Sequence, residues 1–172
     1  MKSFFLFFSL FIFNPIQSQE VLIKKAIEVQ TNYTVKSSKY VVLIDYSKSI
    51  FSKRLFVVDV KGKKVILTST VSHAYNSGLQ YATKFSNKER SLMSCIGAFE
   101  TSSTYYGQFG YSLILKGLDK SINSNAEHRK IIFHSSKKMK TKWSWGCFAT
   151  PEKINKKLID LIKNGCLVYV YK

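Results

Sequence analysis

Thirteen positions separate His134 from Cys147, and both stand in surroundings suited to covalent catalysis. A cysteine is a useful nucleophile as its thiolate, and a positioned imidazole is the commonest group that produces one near neutral pH. Gly146, immediately before Cys147, leaves room for a substrate carbonyl to approach. The amides of Gly146 and Cys147 are oxyanion donors if the turn points them inward, with Ser144 and Trp145 shaping that turn. The pair also has a plainer reading, because single cysteines are mostly small buried hydrophobes and histidines mostly satisfied polar residues. What decides between the two is whether the rest of the chain builds elements that hold His134 and Cys147 together.

At 172 residues, 45% hydrophobic and 15% aromatic, the chain suits one globular domain with a sizeable core. The formal net charge of +17 calls for an anionic environment: nucleic acid, an acidic membrane face or an anionic wall polymer. The excess is mostly lysine spread along the chain, with only Arg54, Arg90 and Arg129 available for forked phosphate contacts. No zinc-finger spacing, Walker loop or RNA-recognition aromatic motif accompanies it, so no specific nucleic-acid partner is expected. No cofactor or metal is implied either. The start of the chain points to export. Lys2, the short apolar run Phe4 to Phe13, the break at Asn14-Pro15 and small Ser18 form a signal-peptide pattern over residues 1–18, too short for a stable membrane span. The expected localisation is therefore the periplasm or cell envelope. Three cysteines in an exported chain leave at least one thiol unpaired. Cys147 is the candidate, while Cys95 and Cys166 lie in apolar company as buried thiols or as a bridge.

The elements that must position the pair are mostly strands. Residues 19–39 read as a leader with a short amphipathic helix around Val21 to Val29, ahead of a domain over residues 40–172. Strands are expected at Tyr40 to Tyr46, Lys53 to Val60, Lys64 to Val71, Tyr111 to Leu115 and Leu167 to Tyr171, and Ile131 to Phe133 places His134 at a strand tip. Pro151 to Asn164 carries apolar residues at Ile154, Leu158, Leu161 and Ile162, the pattern of an amphipathic helix that Gly165 stops. Ser72 to Gly78 and Phe85 to Arg90 read as loops. The fold class is mainly β, a sandwich or barrel-like sheet with short helices and one amphipathic helix near the C-terminus.

Chain order then separates the cysteine families. Papain-like hydrolases place Cys before His; sortases follow their cysteine with an arginine, and none follows Cys147. A strand-end histidine followed by Ser144-Trp145-Gly146-Cys147 resembles the L,D-transpeptidase (YkuD-like) catalytic domain, more specifically its secreted murein subgroup. Further matching pieces are Lys53 to Asp59, Val71-Ser72-His73 with Asn76-Ser77-Gly78, Ala82 to Asn87, Ser94 to Gly97, Thr104-Tyr105, Gly110 to Leu113 and Gly117-Leu118. The resemblance covers roughly residues 40–172. It implies a monomer in which Cys147 attacks a peptidoglycan stem peptide, leaving a thioester that an amine or water resolves, with His134 as base. It also makes His73, Asn76, Tyr105, Tyr111 and Ser135 candidates for the substrate cleft. Ser135 stands where the family usually has Gly, the Ser135 to Trp143 loop is short, and Phe148 replaces the subgroup's usual proline. These departures leave a second reading open, a non-enzymatic wall-binding module of the same fold.

Overall fold

A computed structural model describes residues 15–136 and 143–172. Its framework is an eight-stranded sheet whose central strands carry continuous apolar runs. In β1 (Ser37–Asp45), Val41 and Leu43 face one side while Val42 and Ile44 face the other, and all four are buried. β2 (Leu55–Asp59) divides likewise, with Phe56 and Val58 on the first side and Leu55 and Val57 on the second. Continuous apolar strands of this kind mark a sheet covered on both faces. The first cover is α1 (Pro15–Asn32), which seats Ala26 and Val29 on Val41, Leu43, Phe56 and Val58. The second is α2 (Glu152–Ile162), whose Leu158, Ile159 and Ile162 join the larger core.

The remaining strands are β3 (Lys64–Ser69), β4 (His73–Ala74), β5 (Gly97–Gly107), β6 (Gly110–Gly117), β7 (Ile132–Ser136), β8 (Trp143–Ser144), β9 (Phe148–Pro151) and β10 (Cys166–Tyr171). The main sheet runs β3-β2-β1-β10-β5-β6-β7-β9, and β4 pairs with β8 in a separate two-stranded sheet. β1 with β10, and β7 with β9, are parallel. Four particulars differ from the sequence expectations. α1 spans Pro15–Asn32, longer than the helix expected around Val21 to Val29, while residues 1–14 of the expected signal segment lie outside the described residues. β5 is an eleven-residue strand that the polar stretch Thr101 to Thr104 conceals, and it pairs with β6 as a long hairpin. β3 ends at Ser69, short of Val71. His134 lies inside β7, which continues through Ser136. The mainly β class with a late amphipathic helix is as expected.

Arg54, at 0% exposure, ties β2 to the loop before β4. Its Nε and Nη2 donate to the Val71 carbonyl at 3.0 and 2.7 Å, Nη1 donates to the Lys48 carbonyl at 3.2 Å, and Nη2 donates to His73 Nδ1 at 3.0 Å. The guanidinium lies 4.8 Å over the Tyr46 ring. With Nδ1 accepting, His73 Nε2 donates to the Gly78 carbonyl at 2.8 Å. These bonds satisfy a buried cation without a carboxylate and hold Ser72 and His73 in place. Arg54→Met should cost about 3 kcal/mol or more, because it leaves buried acceptors unpaired. Urea unfolding measures this, and a loss below about 1 kcal/mol would show that the acceptors find other donors.

Candidate active site

Ser72 carries that anchorage to Cys147. Its Oγ donates to the Cys147 carbonyl at 3.1 Å and accepts from the Ala149 amide at 2.9 Å, while its own amide donates to the Ala149 carbonyl. Ser144 Oγ also donates to the Cys147 carbonyl, at 2.7 Å, and accepts from the Gly146 amide at 3.1 Å. Ser144 thus shapes the turn, as expected. The Gly146 amide, expected as an oxyanion donor, here donates inside the turn to Ser144 Oγ. Gly146 has φ +133°, and a Cβ there would stand 2.9 Å from Ile131 Cδ1 and 3.3 Å from Arg129 Nη2, so only glycine fits. Trp145, 77% exposed, projects outward from the turn.

The parallel register of β7 and β9 sets His134 and Cys147 on neighbouring segments. Phe133 is level with Phe148 and His134 with Ala149, so Cys147, directly before Phe148, lies beside the start of β7. The Cys147 thiol donates to the Lys130 carbonyl at 3.5 Å. Burial pushes its pKa up, opposed by the Ile132 amide and the Arg129 guanidinium. His134 is buried, and that burial pulls its pKa down, opposed by the hydrogen bond to the Ser135 carbonyl. This bond, 2.9 Å from Nδ1, fixes the tautomer, since a carbonyl can only accept. Nδ1 carries the proton and Nε2 is the bare, basic nitrogen. Both partners are therefore neutral at neutral pH, a thiol and an imidazole.

Two contributors escaped the sequence reading. Phe109, at the tip of the β5–β6 hairpin, stacks on the His134 ring at 4.5 Å between centroids, and its carbonyl accepts from Ser135 Oγ at 3.0 Å. Arg129 lies beneath the Gly146 turn: Nη1 donates to the Ser86 carbonyl at 2.6 Å and to Cys95 Sγ at 2.7 Å, and Nη2 donates to the Met93 carbonyl at 2.6 Å. Neither is marked by a local motif; both act through contacts remote in sequence.

The expected cleft residues divide. Ser135 is at the site, through both its carbonyl and its hydroxyl. His73, at 0% exposure with both ring nitrogens bonded, is part of the Arg54 anchorage and does not line a cleft. Asn76 is exposed and donates from Nδ2 to the Ser91 carbonyl. Tyr105 is exposed on the outer part of β5, and Tyr111 donates from its hydroxyl to Asp160. The loop from Ser135 to Trp143 falls mostly outside the described residues. All three cysteines are free thiols, so Cys95 and Cys166 form no bridge. Among the described residues, no group of three His, Cys, Asp or Glu could hold a metal ion, and no helix is long and apolar enough to cross a membrane.

The sequence profile of the L,D-transpeptidase catalytic domain family, YkuD_2, matches residues 15–171. The chain belongs to this family. The match includes α1 as well as the sheet. Among solved structures, an L,D-transpeptidase from Mycobacterium smegmatis is similar at TM-score 0.52 and 9% identity, covering 78% of this chain and 59% of that one. L,D-transpeptidase LdtMt1 in complex with imipenem is similar at TM-score 0.50 and 12% identity, over 77% of this chain and 59% of that one. An L,D-transpeptidase from Stackebrandtia nassauensis gives 0.50 and 14%, over 87% and 64%. At these identities the likeness is one of fold, and the matched part is about three fifths of each of those chains. Among curated proteins none matches.

Phe109 keeps water off the His134 ring, and burial is what lowers that ring's pKa. A base works in its neutral form, so the lowered pKa extends its range toward acid. Phe109→Ala should therefore move the acid limb of the pH profile for Cys147 acylation to higher pH, by up to about one unit. An unmoved limb would mean that the stacking does not set the basicity.

Proposed function

We propose that the protein is an exported cysteine acyltransferase of the cell envelope that acts on peptidoglycan stem peptides. The observation that carries this reading is the Ser135 carbonyl holding His134 Nδ1, which leaves Nε2 bare on β7, the strand whose parallel neighbour β9 begins directly after Cys147. Family membership and the L,D-transpeptidases of similar fold support the substrate class. The thiol proton passes to His134 Nε2 as Cys147 Sγ attacks the carbonyl of the L-centred residue. The Cys147 amide is available to the oxyanion, and the amide bond to the terminal D-residue breaks. His134 returns the proton to the leaving amine, and a thioester remains. An incoming amine makes a cross-link, whereas water makes the protein a carboxypeptidase; the acyl-enzyme is common to both.

The raised Cys147 pKa and the +17 charge favour one alternative, a wall-binding module of the same fold that does not turn over. Intact-mass measurement after incubation with imipenem separates the two. Ring opening by Cys147 has no leaving group, so the enzyme should gain one intact imipenem and Cys147→Ala none. The same mass before and after incubation, with a thiol that iodoacetamide still alkylates, would leave the binding module as the better account.

A further inference from the structure

A groove of about 270 Å³ opens beside the Gly146 turn, between the loop at Glu89 to Leu92 and the segment His128 to Lys130, with Trp145 as one wall. One of its lining residues reaches Cys147, since the Lys130 carbonyl accepts from Cys147 Sγ. Its charge is one-sided. Arg90, Arg129 and Lys130 line it, and its carboxylate, Glu89, is already paired with His128 at 2.6 Å. Arg129 spends its donors on carbonyls and Cys95, so its charge has no carboxylate against it among the described residues.

The backbone of the groove is strained in a way that its side chains must justify. Arg90, Leu92 and Lys130 have φ of 54°, 52° and 56°, left-handed values that glycine adopts without cost. Lys130 shows why this matters. The Ile131 amide donates to the Ala126 carbonyl and the Lys130 amide to the Glu127 carbonyl, the pair of bonds that ends a helical turn on a left-handed residue. Glycine is the residue of choice at that position, yet an exposed lysine that lines the groove stands there. Strained positions that cluster at one cleft point to a ligand.

We propose that this groove is a carboxylate-binding subsite for the peptide acylated at Cys147, with Lys130 and Arg90 as its charge partners and Trp145 as its apolar wall. The inference rests on the peptide-acylation reading above, to which it adds a specificity: stem peptides with a free carboxylate near the scissile bond are preferred over amidated ones.

The test compares Cys147 acylation by a stem tetrapeptide in free-acid and fully amidated forms, followed by mass spectrometry. Wild type should favour the free acid by roughly tenfold, the worth of one charge-assisted contact. The double variant Arg90→Gln, Lys130→Gln should lose most of that preference through KM. Lys130→Gly should raise the thermal midpoint by relieving the backbone while losing preference as well, a combination that a purely structural lysine would not give. If both variants keep the wild-type preference, or wild type has none, the subsite is overturned and acylation stands. If wild type acylates with neither peptide while iodoacetamide alkylates Cys147, the peptide-acylation reading fails and the subsite with it.

Discussion

The parallel pairing of β7 with β9 is the constraint on which the site depends. Thirteen positions of chain must leave one strand and return beside it in the same direction, and that return sets Cys147 at the start of β7. Parallel neighbours need a connection of some length, and among the described residues the short β8 and the Gly146 turn form the end of it that leads into β9. β8 is itself held by β4, and β4 by Arg54. A buried guanidinium directly before β2 therefore helps to position the Cys147 carbonyl, through Val71 and Ser72.

The electrostatics of this arrangement favour neutral partners. Burial raises the Cys147 thiol and lowers the His134 imidazole, each against its charged form. A preformed ion pair would need stronger compensation than one guanidinium that spends its hydrogen bonds elsewhere. The site is accordingly suited to moving a proton when the thiol reacts rather than to storing a thiolate. The single carbonyl of Ser135 does the orienting that a carboxylate does in Ser-His-Asp enzymes. Because it can only accept, it selects the tautomer without adding a charge.

Legibility from the sequence followed burial. β1, β2 and β10 read clearly because both faces of those strands are covered and every position is apolar. α2 read clearly because only one of its faces is buried, which leaves a helical period. β5 did not, because its outer half is exposed and polar from Ser102 onward and is strand only by virtue of β6 beside it. His134 and Cys147 stood out as residue types, but the fold alone reveals Phe109 stacked over the imidazole from a hairpin 25 residues upstream. His73 misleads for the converse reason. Its polarity suggests a cleft, and it is buried because a second polar group, Arg54, is buried with it.

The central claim is that Ser135 locks His134 as the neutral tautomer protonated on Nδ1, with Nε2 bare for the Cys147 proton. Nitrogen-15 NMR of the imidazole groups tests it directly, with His134 assigned by the signals lost in His134→Gln. At neutral pH the account predicts a protonated Nδ1 and an unprotonated Nε2. A proton on Nε2 instead, or an imidazolium paired with a thiolate, would contradict it.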